Sequence, residues 1–206
     1  MKGRFTYMTK TDCIAISMAV ALITAATLSV GGFAKRCAQV REETFRLHII
    51  ANSDSERDQE NKLAVRDALL EEYSLMLNES DVKSAAFTCE FLKEEIALSA
   101  KRALAVNGDG SDVAVEVCKM YFDTREYEDG FTLPAGEYEA LRVIIGEGKG
   151  RNWWCVMYPP LCLPAASQES AVAIKERLEQ MESEPCFEAK LAIVEAIEKL
   201  KEKLAI

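Results

Sequence analysis

Two rhythms of apolar and polar residues divide this chain into elements. Val113, Val115 and Val117 alternate with Ala114, Glu116 and Cys118, the period of a strand with one apolar face. Leu141, Val143 and Ile145 repeat that period. Phe45-Arg46-Leu47-His48-Ile49-Ile50-Ala51, rich in branched and aromatic residues, predicts another strand. Between these strands the period lengthens to that of a helix. Leu63, Leu69, Leu70, Tyr73 and Leu77 predict one helix, opened by a cap at Ser55 with Asp58 three residues on. Val82, Ala85, Cys89, Leu92, Ile96, Ala100 and Ala103 predict a second. Gly130 and Pro134-Ala135-Gly136 supply turn chemistry for a hairpin over 123–136. The tail is helical again, with stripes at Ala171, Ile174, Leu178, Met181 and at Leu191, Val194, Ile197, Leu200, Leu204. Helices in blocks and hairpin-linked strands predict an α+β fold with a mostly antiparallel sheet.

Ahead of these elements lies a different pattern. Lys2, Arg4 and Lys10 precede a largely apolar run from Cys13 to Val30, followed by Gly31-Gly32-Phe33-Ala34. That is the layout of an export signal, with Gly32-Phe33-Ala34 as a small-x-small cleavage site. The run is also long enough for a membrane anchor. Residues 1–34 are therefore expected to be a signal peptide or anchor, 35–44 a linker and 45–206 a single domain. Lys35 and Arg36 run against the preference of positive charge for the inside.

Removing the leader's three basic and one acidic residue takes the net charge from −9 to −11. So acidic a domain is a poor partner for nucleic acid or for anionic lipid, which leaves membrane contact to the N-terminal segment if it is uncleaved. The seven cysteines, at 13, 37, 89, 118, 155, 162 and 186, contain no Cys-x-x-Cys spacing, so no metal site is indicated. No cofactor motif is present either. The Gly146, Gly148, Gly150 triplet precedes a strand rather than a helix and is no phosphate loop.

Both tryptophans of the chain fall in Asn152-Trp153-Trp154-Cys155-Val156-Met157-Tyr158-Pro159-Pro160-Leu161-Cys162. Adjacent residues of a strand point to opposite faces, so each indole is expected to be half-buried on its own side. Pro159-Pro160 ends the strand and brings Cys155 and Cys162 within reach of a local disulfide, with two buried thiols as the alternative. Trp153, Trp154, Tyr158, Pro159 and Pro160 together suggest a rigid contact surface for a protein partner. A competing reading pairs Cys155 with His48, the only histidine, as a hydrolase oriented by Asn52 or Asp54. Against it, His48 is expected mid-strand, and nothing in the sequence lowers the pKa of a strand-borne Cys155.

Arg46-Leu47-His48-Ile49-Ile50-Ala51-Asn52-Ser53-Asp54-Ser55, then Asp58-Gln59, then Lys62-Leu63-Ala64-Val65-Arg66-Asp67-Ala68 closely resembles the opening motif of the stage II sporulation protein R family. Gly148 to Cys162 resembles that family's second signature, and Tyr138 to Gly146 fits the strand before it. The resemblance implies a protein made in the forespore and exported into the space between forespore and mother cell. There it would trigger a membrane-embedded aspartic protease of the mother cell, which cleaves the pro-sequence from a sigma factor. The chain would be an activating ligand and not an enzyme; it contains no Asp-Thr/Ser-Gly motif. The resemblance carries no catalytic residues, and offers His48, Asn52, Asp54, Arg66, Trp153, Trp154, Cys155 and Cys162 as positions of contact or of structure. From Glu184-Pro185-Cys186-Phe187 onward the tail departs from the family pattern.

Overall fold

Four strands form the central sheet: β1 (Phe45–Ile50), β2 (Val113–Phe122), β5 (Gly136–Ile145) and β6 (Asn152–Tyr158), in the order β2-β5-β1-β6. β5 runs antiparallel to β2 and β6 antiparallel to β1; only the central β1–β5 pair is parallel. The expected hairpin is present as β3 (Arg125–Glu126) and β4 (Thr132–Leu133), paired antiparallel, with Gly130 at φ +79° in the turn. This computed structural model describes residues 9–73, 81–127, 130–159, 161 and 169–204. Leu77, Pro160 and Cys162, and with them the Cys155–Cys162 pairing, lie outside the described residues.

Alternation along each strand splits the sheet into two faces. Phe45, Leu47, Ile49, Leu141, Val143, Ile145 and Cys155 point to the face covered by α2 (Glu56–Tyr73), α3 (Val82–Phe91) and α4 (Lys93–Val106). The long stripe predicted from Val82 to Ala103 is buried as expected, but it belongs to two helices that meet at Leu92. In α2 the buried stripe differs from expectation. Leu63 is exposed, while Asn61 and Lys62 are buried beside Val65, Leu69 and Tyr73. The two polar residues take inward positions because each finds hydrogen-bond partners there. Asn61 donates to Asp109 (2.6 Å), and Lys62 to the Arg151 carbonyl (3.1 Å).

A second core lies against the other face, where α1 (Lys10–Glu42), α5 (Glu169–Glu182) and α6 (Phe187–Leu204) pack with Phe131, Leu133, Val156 and Leu161. α1 opens with a capping box at Thr9 and Asp12 and continues unbroken through Ala34. Its last turns bury Phe33, Cys37 and Val40, so residues 35–42 are helix packed into the domain. Arg41 fixes this end, donating to the Ala135 carbonyl (3.0 Å) and pairing with Glu198 (3.4 Å). The apolar part of α1 is long and hydrophobic enough to cross a membrane, with mean hydropathy 2.2 and nothing packed on it. In α6 only the first turns are buried. Ile197, Leu200 and Leu204 are exposed because they lie off the inward face, which there carries Glu198 in its pairing with Arg41.

Candidate partner-binding site

The two motif segments, far apart in sequence, meet at one end of the sheet. Asn52 accepts the Glu147 amide at its side-chain oxygen (3.0 Å), and its own carbonyl accepts the Lys149 amide (3.1 Å). Asp54 accepts the Arg151 amide (2.7 Å). Asp58 receives Asn52 Nδ2 (3.0 Å) and the Ser53 hydroxyl, which hold its carboxyl below the usual range, Ser53 contributing most. Gln59 donates to the Ser53 carbonyl (2.8 Å) and accepts from Lys62 (2.6 Å). The glycines permit the approach. A Cβ at Gly150 would stand 2.2 Å from the Ser53 oxygen, and one at Gly146 2.2 Å from Asn52 Oδ1. Asn52 and Asp54 therefore act as a clasp that seats the β5–β6 turn on the β1–α2 junction.

The tryptophans that follow this clasp diverge as strand alternation requires. Trp153 is half-buried on the α2 side, with the Arg66 guanidinium 5.2 Å from its ring. Trp154 is half-buried on the other side, stacked on His48 at 3.8 Å with planes 16° apart, its edge against Phe122 at 5.0 Å. Tyr158 is partly buried against the first core. Pro159, joined to it by a cis peptide, is buried. The expected aromatic-proline patch is thus not one surface: each indole serves its own face, and Pro159 packs inward.

His48 and Cys155 are not brought together. β1 pairs His48 with Trp154 and Leu47 with Cys155, so the imidazole and the thiol project from opposite faces. Among the described residues no well-aligned hydrogen bond reaches either ring nitrogen of His48. Burial pushes its pKa down to about 4; a weak hydrogen bond with the Asn152 side chain opposes the shift, and Arg142 and Arg46 add to it. At neutral pH it is an uncharged aromatic plate. Burial drives two other thiols upward, Cys37 to about 11 and Cys89 to about 12, which suits packing and not nucleophilic chemistry. Among the described residues no cluster of His, Cys, Asp and Glu could hold a metal ion.

Arg46 was the residue least legible from sequence. It sits on the same face as His48, fully buried between Phe122, 3.9 Å from its guanidinium carbon, and Tyr138, at 4.9 Å. The available signal was a charged residue two places before a histidine within an otherwise apolar strand. On the outer surface Phe87 and Phe91, one turn apart on α3, are also strongly exposed, which the helical stripe did not anticipate.

Residues 41–168 match the family described as Stage II sporulation protein R. The chain belongs to this family. It is 36% identical over 138 residues to the stage II sporulation protein R of Bacillus subtilis (strain 168). That alignment takes in 66% of this chain and 61% of that curated relative's length. No solved structure matches the chain. The family region covers the whole sheet, the hairpin and α2–α4, together with both halves of the clasp, and the relative bears a sporulation name and not that of an enzyme. The apolar stretch of α1 and both tail helices lie outside it.

Proposed function

We propose that this sporulation-family chain is an exported signalling protein that works by contact. It would activate a membrane-embedded aspartic protease of the mother cell, which then removes the pro-sequence of a sigma factor. The observation that most favours a ligand over a hydrolase is the placement of the only imidazole, stacked beneath Trp154 on the sheet face opposite Cys155. A ligand activates a protease only through higher affinity for the active arrangement, so its surface must supply that difference. Trp154 and Trp153, each partly exposed on a rigid strand position, are suited to do so. We further propose that the chain is delivered across the forespore membrane into the intermembrane space and stays tethered there by α1, since a cut after Ala34 would remove the fully buried Phe33 from the second core.

The test is co-expression with the protease and its pro-sigma substrate in a host that does not sporulate. Trp154→Ala and Trp153→Ala, each checked for export and for retained fold, are expected to reduce processing at least tenfold, a loss of about 1.4 kcal/mol or more in binding. Cys155→Ser is expected to leave processing within a factor of two. Full processing in both tryptophan variants, or turnover of a peptide or cell-wall substrate by the purified chain, would overturn the reading.

A further inference from the structure

Arg46 is a fully buried cation that meets no anion among the described residues. Nη2 donates to the Tyr127 hydroxyl (2.6 Å), while Nε and Nη1 have no hydrogen-bond partner among those residues. Among the described residues no carboxylate forms an ion pair with it. The aromatic faces of Phe122 and Tyr138 offset part of its lost hydration, but cation–π contacts are individually modest beside the several kcal/mol that desolvating a charge costs. Buried guanidinium groups ordinarily meet a carboxylate on their open edge, often through two parallel hydrogen bonds. Here that edge carries two unused donors.

Those donors belong to a side chain that lines a cavity of about 130 Å³, walled by Phe122 and Trp154 and rimmed by Thr124 and Arg125. Tyr121, whose hydroxyl is likewise buried without a partner, lines the same cavity. Asp123 lies on it too, but its carboxylate is engaged by Lys199 at 3.1 Å, so it does not neutralise Arg46. The volume is well below that of pockets for cofactors or drug-sized ligands, which run from roughly 300 Å³ upward, and suits a carboxylate on a short stem.

We propose that the Arg46 pocket is a carboxylate-binding site, and that the carboxylate is presented by a polypeptide, as an acidic side chain or a chain end inserted beside Trp154. Only the source of the carboxylate rests on the contact reading above; the pocket's chemistry stands on the unpaired guanidinium. Entry of the carboxylate into this cavity completes the hydrogen bonding of Arg46 and places the partner's backbone beside Trp154.

Tryptophan emission of the full chain in detergent micelles reports on the site, because Trp154 forms its wall. Titration with sodium acetate is expected to give a saturable change that sodium chloride at matched ionic strength does not, and to raise the melting temperature relative to chloride. Arg46→Met, which keeps an unbranched side chain and removes the charge, is expected to bind acetate at least tenfold more weakly without melting lower than wild type. Acetate and chloride behaving alike in the wild-type chain overturns the proposal whatever the variant does, as does a wild-type titration by Arg46→Met. Two tripeptides, one capped at both ends with a central glutamate and one alanine-only with a free carboxylate end, identify the source. Binding at least tenfold tighter than acetate by either supports a polypeptide donor; no gain by both overturns that part and leaves a free small carboxylate as ligand. If Arg46→Met loses acetate binding yet supports full sigma-factor processing, the polypeptide donor is again overturned while the signalling role stands.

Discussion

His48 shows how a residue can look catalytic in sequence and be architectural in the fold. Its neutral ring is stacked on Trp154 and turned edge-on to Phe122. A free imidazole takes up its proton near pH 6.5, the folded one only near 4. Between those values the unfolded chain binds more protons, so stability is full above 6.5 and falls as pH drops through the window, by roughly 3 kcal/mol in total. Asp58 and Asp109, lowered chiefly by hydrogen bonds from Ser53 and Ser111, begin to lose their contribution only as pH falls into the ordinary carboxylate range and so titrate later. The urea midpoint of the wild-type chain should therefore decline between pH 7 and 4.5, while that of His48→Phe should stay nearly flat; equal slopes would refute the buried neutral ring. Glycine supplies a second residue-scale contrast. Gly150→Ala drives a Cβ into the backbone of Ser53 and should cost roughly 1–3 kcal/mol, whereas Gly110→Ala, with nothing within 4 Å, should be neutral in the same thermal melt. The triplet Gly146, Gly148, Gly150 was readable as a turn from sequence. Its docking on Asn52 and Ser53 was not, since hydrogen bonds spanning 95 residues leave no local pattern.

Among the elements, periodicity identified what local repetition governs and lost what tertiary contact decides. The strand faces of β2, β5 and β6 followed from alternation; β1, buried along its whole length, was legible only from its branched and aromatic content. The division between α3 and α4 did not, because Leu92, which ends one helix and begins the next, is neither glycine nor proline and carries no side-chain cap. The first helix hides its boundary more thoroughly. A run that is apolar on all sides up to Val30 passes without a break into three turns with a single buried stripe, and composition flags only the first part. Phe33 marks the changeover: its ring meets Phe187 edge-on at 5.8 Å and is flanked by Arg36 and Lys190. Phe33→Ala should therefore destabilise the domain by about 3–5 kcal/mol, seen as a lower melting temperature in tryptophan emission. Leu22→Ala, on the exposed part of the same helix, should leave that melt unchanged. An equal response of the two variants would mean that α1 does not join the second core.

For the molecule as a whole, the sheet is held between two helical layers of different origin, and the outer of these is continuous with the membrane-competent segment. The apolar run from Cys13 to Val30 is about as long as a bilayer's hydrocarbon core is thick at 1.5 Å per residue. Packing into the domain begins three residues later, at Phe33, so on the tethered reading proposed above the domain would sit against the headgroups with no spacer to swing on. The charge pattern that opposed an outward-facing domain loses force in this arrangement. Arg36 is paired with Glu184, which also holds Lys190 at 2.9 Å, so one of the two basic residues after the apolar run is answered within the fold, while Lys35 stays exposed. On the tethered reading, Lys2, Arg4 and Lys10 would favour the inner side for the other end. The chain should accordingly fractionate with membranes, resist alkaline carbonate extraction, run at its full 22.9 kDa and retain the apolar run on N-terminal sequencing. The opposing outcome is a soluble form beginning near Lys35 that melts as high as the intact chain. Such a form would show that the second core closes without Phe33, and that the domain diffuses freely and is not fixed at the membrane surface.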